Sequence, residues 1–298
     1  MAVLSDKNKL LLVVNPVSGK GLGKSKLYEM IEIFSRHGYR VTVMLTEPEG
    51  TKQKIIEEAE NYDLVVAVGG DGTLNMVAGG IVRSGVDVPM GYIPLGSTND
   101  FGYSLGLGTN IGAICERIAT GEPKYIDMGK CDDRYFVYVM CTGLFSSVSY
   151  MTSQQLKNLM GRNAYIVSGV SQVKNAKKMR YTVQLEDETI QENLLFASVS
   201  NTLRLGGMLS FPKSEVQFDD GMFELTLVKY PNHITDSAAL TADLLNGKMP
   251  SERFIRRKVR SATIRFSDPQ DWSIDGENGG IHNEIKIEVI QKALRLIY

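Results

Sequence analysis

Cysteine, histidine and tryptophan are scarce in this sequence of 298 residues, which contains 3 cysteines, 3 histidines and 1 tryptophan. Cys115, Cys131 and Cys141 are odd in number and lack C-x-x-C spacing, so neither a disulfide framework nor a thiolate metal site is expected. The histidines are too scattered along the chain to indicate a zinc cluster. These absences favour the cytoplasm as the compartment of the protein.

Long apolar runs and a surplus of one charge are also missing. The first apolar run, residues 10–14, falls far short of the about 20 residues of a membrane span and of the about 7 to 15 of a signal-peptide core. Lysine and arginine number 33 against 34 aspartates and glutamates, which gives a formal net charge of −1. Proteins that bind nucleic-acid phosphates usually have a basic surplus, so no nucleic-acid partner is expected and any anion site must be local.

The most informative segment that is present is Val65-Val66-Ala67-Val68-Gly69-Gly70-Asp71-Gly72-Thr73-Leu74-Asn75. An apolar strand runs directly into glycines and one acid before a helix begins near Thr73. Glycine lets main-chain N–H groups approach an anion closely, and a helix N-terminus adds unpaired N–H donors. The alternative is an ordinary strand-to-helix turn, but such a turn does not need this succession of glycines, acid and hydroxyl. The segment therefore predicts a polyphosphate cradle.

The first 127 residues alternate strand, loop and helix, which predicts a parallel sheet covered by helices. Strands are expected at 9–15, 40–45, 64–68 and 90–93, and helices at 23–38, 51–60 and 74–84. After Asp127 the pattern changes to alternating strands with few helices, which predicts a mainly antiparallel domain. Its strands are expected at 135–141, 181–186, 194–199, 223–230, 262–266 and 285–290, and its helices within 154–178 and 234–245.

This pattern gives a fold class of α/β plus β-rich, with a nucleotide-binding domain at 1–127 and a β-rich substrate domain at 128–288. The C-terminal segment 289–298 could return to the first domain. No long flexible linker separates the domains, because the chain passes through 125–130 without a run of Pro, Gly or Ser.

Two further loops follow predicted strands of the first domain and would share the carboxyl-terminal edge of its sheet, where ligands of open α/β sheets bind. The loop 15–25 nearly satisfies the P-loop pattern G-x-x-x-x-G-K-[ST] but has Ser18 where the pattern needs glycine. A true P-loop, a differently shaped phosphate contact that uses Lys20, and a plain surface turn all stay open, with the phosphate contact favoured. The loop 94–101 contains Ser97 and could hold a base or ribose, or could simply cap a helix.

Two acid-bearing turns stand out in the second domain. Phe218-Asp219-Asp220-Gly221-Met222 fits a hairpin turn and a Mg²⁺ or Ca²⁺ site equally well, because carboxylates and backbone carbonyls are the ligands of hard cations. Asp275-Gly276-Glu277 is either a solvated structural loop or, in a kinase, the source of the carboxylate that accepts the proton of the acceptor hydroxyl.

Basic residues collect at 174–180 and at 253–260. Most charge runs are solvated surfaces. The functional alternative is a face attracted to anionic lipid headgroups, which would let the protein visit a membrane peripherally.

Taken in order, N-P-x-S-G-K after the first strand, G-G-D-G-T-L-N, P-x-G-S-T-N-D-F, D-D-G and D-G-E resemble the soluble diacylglycerol kinase and sphingosine kinase family of lipid kinases. The resemblance spans nearly the whole chain and is closest to the bacterial diacylglycerol kinases. It implies a Rossmann-like N-terminal domain, similar to NAD kinases and phosphofructokinases, followed by an antiparallel β-sandwich.

The resemblance also implies residue roles in the first domain, where Lys20 and Asp71 would lie near the phosphates of ATP. The implied ATP contacts are Asn15, Pro16, Val17, Ser18, Gly19, Lys20, Thr46, Gly69, Gly70, Asp71, Gly72, Thr73, Leu74, Asn75 and Ser97.

The remaining implied residues are a metal site and two acids. Asp220 would hold a structural Mg²⁺ together with the backbone carbonyls of Gln217 and Met222. Glu277 matches the general base of the family, and Asp127 matches an acid that supports it through the metal and its waters. Together with Asp71 these two acids form the implied catalytic set.

The implied function is ATP- and Mg²⁺-dependent phosphorylation of a lipid hydroxyl at a membrane surface, foremost diacylglycerol to phosphatidic acid, and a homodimer stays open. Two positions depart from the family: Met76 stands where Glu is common, and Gly102-Tyr103 where Ala-Arg is common. A kinase of another lipid, a kinase of a soluble acceptor such as NAD, and a non-catalytic regulator that binds nucleotide or lipid therefore remain as alternatives.

Overall fold

A computed structural model describes residues 8–47, 49–96, 99–144, 178–205, 209–246 and 248–298. The chain forms two compact units, one of Met1–Met128 with Gln291–Tyr298 and the other of Gly129–Ile290. The helix expected within 154–178 lies outside the described residues, apart from its last position.

The first unit contains a parallel sheet in the order β2-β1-β3-β4. Its strands are β1 Lys9–Val14, β2 Arg40–Leu45, β3 Leu64–Gly69 and β4 Met90–Pro94. Apolar runs form the two inner strands, since every residue of β3 and all but the first of β1 are buried. This is the pattern of parallel strands covered on both faces. At the C-terminus, Leu296 and Ile297 pair in parallel with β4.

Helices connect the strands of the first unit. They are α1 Leu22–Ser25, α2 Leu27–Arg36, α3 Thr51–Glu58, α4 Asp71–Ser84, α5 Asp100–Ser104 and α6 Ile111–Thr120, with short 3₁₀ turns at Ser18–Gly21 and Ala59–Asn61. The single helix expected at 23–38 is wrong in one respect, because the chain breaks at Lys26 into α1 and α2. α2 buries Met30, Ile33 and Phe34, which the i, i+3, i+4 spacing of a helix brings to one face.

Antiparallel strands make up most of the described part of the second unit. The elements that follow α6 are β5 Lys124–Cys131, β6 Arg134–Phe136, β7 Val139–Gly143, β8 Met179–Gln184, β9 Thr189–Ser200, β10 Arg204–Leu205, β11 Leu209–Ser210, β12 Phe223–Lys229, α7 Ile234–Leu245, β13 Phe254–Val259, β14 Ser261–Ile274 and β15 Glu277–Ile297. Their order is β13-β12-β9-β7-β14-β15, and β8 pairs with both β9 and β14. The core contains Phe136 packed edge-on against Phe223, with Trp272 and Ile264 also buried.

The structure confirms the fold class, a parallel α/β sheet followed by a mainly antiparallel β-rich part. One predicted strand is wrong, because 135–141 is split into β6 and β7 by a bend at 137–138. The strands expected at 194–199, 262–266 and 285–290 are parts of the longer β9, β14 and β15. Within the described ranges, each helix is too short or too polar to cross a bilayer.

Candidate functional site

The loops that follow β1 and β3 meet at the carboxyl-terminal edge of the first unit's sheet. The order β2-β1-β3-β4 places the topological switch point between β1 and β3, because the chain leaves β1 toward β2 on one side and later crosses to β3 on the other. The Asn15 amide N–H donates to the Val68 carbonyl at 2.9 Å, and Asn15 Nδ2 donates to Thr73 Oγ1 at 3.3 Å. The first and second glycine loops are therefore hydrogen-bonded to each other.

The third loop, after β4, packs against both of them through positions where no Cβ fits. A Cβ added to Gly96 would lie 2.7 Å from Gly70 Cα, and one added to Gly19 would lie 2.8 Å from the Leu95 carbonyl oxygen. The Leu95 amide also donates to the Gly69 carbonyl at 2.7 Å. The glycines of the three loops are thus needed for a close approach of main chain to main chain.

α4 begins where the three glycine loops meet, and main-chain amides of its first turn can bind an anion. Its N-cap is Gly70, so no side chain caps the first turn, while the Leu74 amide is the first to bond back, to the Gly70 carbonyl at 3.0 Å. Asp71 Oδ1 accepts a hydrogen bond from the Tyr92 hydroxyl at 3.3 Å. The remaining amides of the first turn and the positive end of the helix dipole are suited to a phosphate.

The loop after β1 is not built like a P-loop. Residues 18–21 form a 3₁₀ turn, with Gly19 and Gly21 in the left-handed region at φ +62° and +87°. Asn15 Oδ1 accepts the Val17 amide at 3.1 Å and so closes the start of the turn. Lys24, at the position of the P-loop lysine, lies inside the four-residue α1, which Lys26 separates from α2.

Most of the predicted nucleotide residues lie at this one edge of the sheet. Thr46 joins them from the end of β2, where its amide donates to the Val14 carbonyl at 2.9 Å. Those at the edge are Asn15, Pro16, Val17, Ser18, Gly19, Thr46, Gly69, Gly70, Asp71, Gly72, Thr73, Leu74 and Asn75. Ser97 and the side chain of Lys20 lie outside the described residues, and the nucleotide roles of all these residues stay predictions.

Asp127 is inside the first unit. It is fully buried, and its Oδ1 accepts the Lys292 amide at 2.7 Å. Lys292 has a φ of +53°, an uncommon conformation for a residue with a side chain, which this hydrogen bond helps to hold. Asp127 therefore stabilises the returning C-terminal segment; the catalytic role implied for it stays a prediction.

Asp220, the predicted metal ligand, lies in the turn before β12. Its Oδ1 accepts the Met222 amide at 3.0 Å, and its Oδ2 pairs with the Lys258 ammonium at 2.7 Å. The carboxylate therefore already attracts one positive charge. No group of three or more His, Cys, Asp or Glu side chains suited to a metal occurs in the described part of the chain, so a cation here would depend on backbone carbonyls, as predicted for Gln217 and Met222.

The D-G-E loop, residues 275–280, presents the predicted base. Glu277 is exposed at the start of β15. Asp275, by contrast, is 1% exposed: its Oδ2 accepts the Val137 amide at 2.6 Å, and its Oδ1 accepts the amides of Tyr138 and Val139 at 3.0 and 2.9 Å. The sequence analysis missed this role. The Asp-Gly pair could have indicated a turn, but not which distant amides the carboxylate would bind.

Sequence reasoning also missed Glu224 on β12. It is 3% exposed, and neither carboxyl oxygen has a hydrogen-bond partner among the described residues. Its pKa is raised to about 8, mainly by burial; Lys258 lowers it in part, and Asp220 contributes to the rise. The signal in the sequence was an acid near the start of a largely apolar strand.

The basic segment 253–260 is largely neutralised by acids. Arg253 pairs with Asp243 and Arg256 with Glu215, and the other two ion pairs of the segment are Arg257 with Glu188 and Lys258 with Asp220. These pairs weaken the interpretation of the segment as a free cationic face. Lys174 and Lys177 of the other basic segment lie outside the described residues.

Two family models match successive parts of the chain. The diacylglycerol kinase catalytic domain matches residues 9–131, and the YegS C-terminal NAD kinase beta sandwich-like domain matches residues 139–298. The first contains the three glycine loops and the second contains the D-G-E loop.

Relatives and a solved structure agree with these models. A diacylglycerol kinase of Staphylococcus aureus (strain JH9) is 30% identical over 92% of this chain and 87% of its own, and one of Staphylococcus haemolyticus (strain JCSC1435) is 30% identical over 90% and 82%. A solved chain from Bacillus anthracis str. Sterne superposes with a TM-score of 0.81 at 25% identity, covering 99% of this chain and 98% of its own.

Proposed function

Because the chain belongs to the diacylglycerol kinase family of lipid kinases, we propose that it transfers the γ-phosphoryl group of ATP to the hydroxyl of diacylglycerol, giving phosphatidic acid. The observation that carries the nucleotide part is the meeting of three glycine loops around the uncapped start of α4. Main-chain amides at such a position bind phosphate without a specific side chain.

In this proposal the first unit binds and orients the nucleotide, and the second unit, 129–290, binds the lipid. When bound, ATP supplies the phosphoryl group that is transferred. The amides at Gly70 to Thr73 would hold its phosphates, and the close contact of Gly70 with Gly96 keeps side chains out of the space they need. Phosphoryl transfer depends on this positioning and on charge stabilisation rather than on a covalent nucleophile.

Glu277 would act as the general base that takes the proton from the acceptor hydroxyl. An exposed carboxylate at the start of a strand is accessible to a substrate, and proton removal increases the nucleophilicity of the attacking oxygen. Because the acceptor is a lipid, we also propose that the protein contacts membrane surfaces transiently.

We further propose that Asp220 holds Mg²⁺ with the carbonyls of Gln217 and Met222. The donor set is all oxygen, which fits a hard cation, and Asp220 Oδ2 already lies 2.7 Å from a positive group, Lys258 Nζ. When bound, Mg²⁺ would supply positive charge at this turn, and Lys258 would compete with it for the same carboxylate.

The central experiment measures transfer of labelled γ-phosphate from ATP to diacylglycerol in mixed micelles, with sphingosine, phosphatidylglycerol, polyprenol and NAD as competing acceptors. We expect labelled phosphatidic acid as the main product. Labelled NAD phosphate without labelled lipid would assign the soluble acceptor instead, and ATP binding without any labelled acceptor would favour a regulator.

Glu277→Gln tests the base in the same assay. We expect turnover to fall by about 100-fold or more while ATP affinity changes little, because proton transfer is lost and ground-state binding is kept. Glu252→Gln, an exposed acid before β13, is the matched control and should keep normal turnover.

A further inference from the structure

The D-G-E loop is attached at both ends to one segment of the second unit, residues 134–139. The first attachment is Asp275, whose carboxylate accepts the three successive amides of Val137, Tyr138 and Val139. Its own amide donates back to the Val139 carbonyl at 2.8 Å. Val137 and Tyr138 lie in the bend between β6 and β7, and Val139 begins β7. Buried amides need an acceptor. Asp275 is that acceptor.

The second attachment is Arg134, on the other side of Glu277. Its Nη1 donates to the Gly279 carbonyl at 2.9 Å and its Nη2 to the Asn278 carbonyl at 2.8 Å. A guanidinium has a rigid planar fork, so two donors on adjacent carbonyls fix the loop in direction as well as in distance.

The backbone between the attachments forms the two-residue turn of the β14–β15 hairpin. Asp275 has a φ of +47° and Gly276 a φ of +85°, which turn the chain sharply just before Glu277. An Asp-Gly pair favours such a two-residue hairpin turn. The two attachments fix the position of this turn, and with it the position of Glu277, relative to residues 134–139.

A general base must lie within hydrogen-bond reach of the proton that it removes, and small displacements lower the rate strongly. We propose that Asp275 and Arg134 are positioning residues that increase the rate of phosphoryl transfer by holding Glu277 in place. This inference rests on the proposed function, in which Glu277 is the base.

A double-mutant cycle separates positioning from general stabilisation of the fold. Turnover and the KM for ATP are measured for the parent, Asp275→Asn, Glu277→Gln and the double variant. Asparagine keeps the shape but offers one acceptor oxygen and a donor group to three amides. We expect Asp275→Asn to lower kcat about 10- to 100-fold with the KM for ATP within about twofold, and to change kcat by less than about twofold when Gln is already at position 277.

Arg134→Ala provides a second variant at an exposed position, so it keeps the inference testable if Asp275→Asn does not fold. We expect a loss of kcat of about 3- to 30-fold that again vanishes in the Glu277→Gln background, with Arg134→Lys intermediate because an ammonium lacks the fork. Hydrogen exchange at the amides of 137–139 should accelerate in Asp275→Asn. Asp271→Asn and Arg265→Ala, exposed residues of β14, are the matched controls and should leave kcat unchanged.

The results distinguish the positioning role of Asp275 and Arg134 from the proposed role of Glu277 as the base. Equal losses of kcat in the parent and in Glu277→Gln, or normal kcat in both Asp275→Asn and Arg134→Ala, would overturn the positioning inference and leave the base intact. Normal turnover in Glu277→Gln itself would instead overturn the proposed base, and the inference with it.

Discussion

The carboxyl-terminal edge of the first unit's sheet and the D-G-E loop of the second unit are built in different ways. The first is made of main chain: Gly70 faces Gly96, Gly19 faces the Leu95 carbonyl, and α4 begins without a side-chain cap. The second is made of side chains, because the Asp275 carboxylate and the Arg134 guanidinium fix its backbone.

Because of this difference, the two regions tolerate different substitutions. A main-chain site is insensitive to the identity of most side chains but cannot accept an added Cβ, since rigid backbone stands opposite. A side-chain site tolerates added atoms at exposed positions but depends on the charge and shape of a few buried groups, which respond to pH.

The largest effect is expected for a substitution that disrupts the main-chain contact between the glycine loops. Gly96→Ala places a Cβ 2.7 Å from Gly70 Cα, so the loops must separate, and we expect ATP affinity to fall about a thousandfold, or about 4 kcal/mol. Gly70→Ala, with its Cβ 3.3 Å from Gly96 Cα, should be milder. Titration calorimetry with ATP measures both.

The control for these variants is Gly112→Ala on α6, where the nearest atom to the added Cβ is the end of the Glu29 side chain at 3.2 Å. It should bind ATP normally and melt at the same or a slightly higher temperature, because alanine favours a helix over glycine. Equal ATP affinity in Gly96→Ala and Gly112→Ala would show that the loop contact does not shape the nucleotide site.

A smaller effect concerns Glu224 and the pH response of the second unit. Burial raises the pKa of this carboxyl from 4.5 to about 8, so the folded state holds a proton that the unfolded chain releases in that range. The stability this provides is fully present below about pH 4.5 and is lost as the pH rises through about 8. The free energy of unfolding should therefore fall by up to about 1.4 kcal/mol per pH unit in between.

Glu224→Gln cannot lose a proton, so its stability should depend less on pH, with a difference from the parent of up to about 3.5 kcal/mol between pH 5 and pH 8. Urea unfolding in EDTA measures this. Glu252→Gln, at an exposed position, should follow the parent curve. If the free energy of unfolding depended on pH equally in the parent and in Glu224→Gln, Glu224 would not hold a proton in the folded state.

The smallest effect is expected for the stabilisation of the protein by Mg²⁺ at Asp220. Addition of Mg²⁺ at about ten times its dissociation constant should stabilise the parent by about 1.4 kcal/mol, a rise of roughly 3 to 5 °C in melting temperature. Asp220→Asn should remove this response, and Lys258→Met should strengthen it by freeing Asp220 Oδ2. Asp219→Asn, at the neighbouring position, is the control and should keep the response to Mg²⁺. If Mg²⁺ does not raise the melting temperature of the parent, the proposed metal site is wrong.

Local patterns predicted the fold class and the positions of the three glycine loops well for a physical reason. Apolar runs such as 64–69 bury themselves on both faces of a sheet, and the glycines that follow them can only serve turns or close approaches. The strand expected at 135–141 was wrong because the carboxylate of Asp275, far along the chain, provides the amides of the bend with a better acceptor than a strand would. No local signal reports such a partner.

The sequence by itself determined that three glycine loops follow strands and that an Asp-Gly-Glu turn occurs near the C-terminus, because these features depend on backbone freedom and on neighbours along the chain. Only the tertiary structure decided the order β2-β1-β3-β4, which opens the switch point beside Asn15 and Gly69, and the burial of Asp275 and Glu224. Strand order and the partners of buried charges depend on contacts between residues distant in sequence, whose energies no short pattern contains.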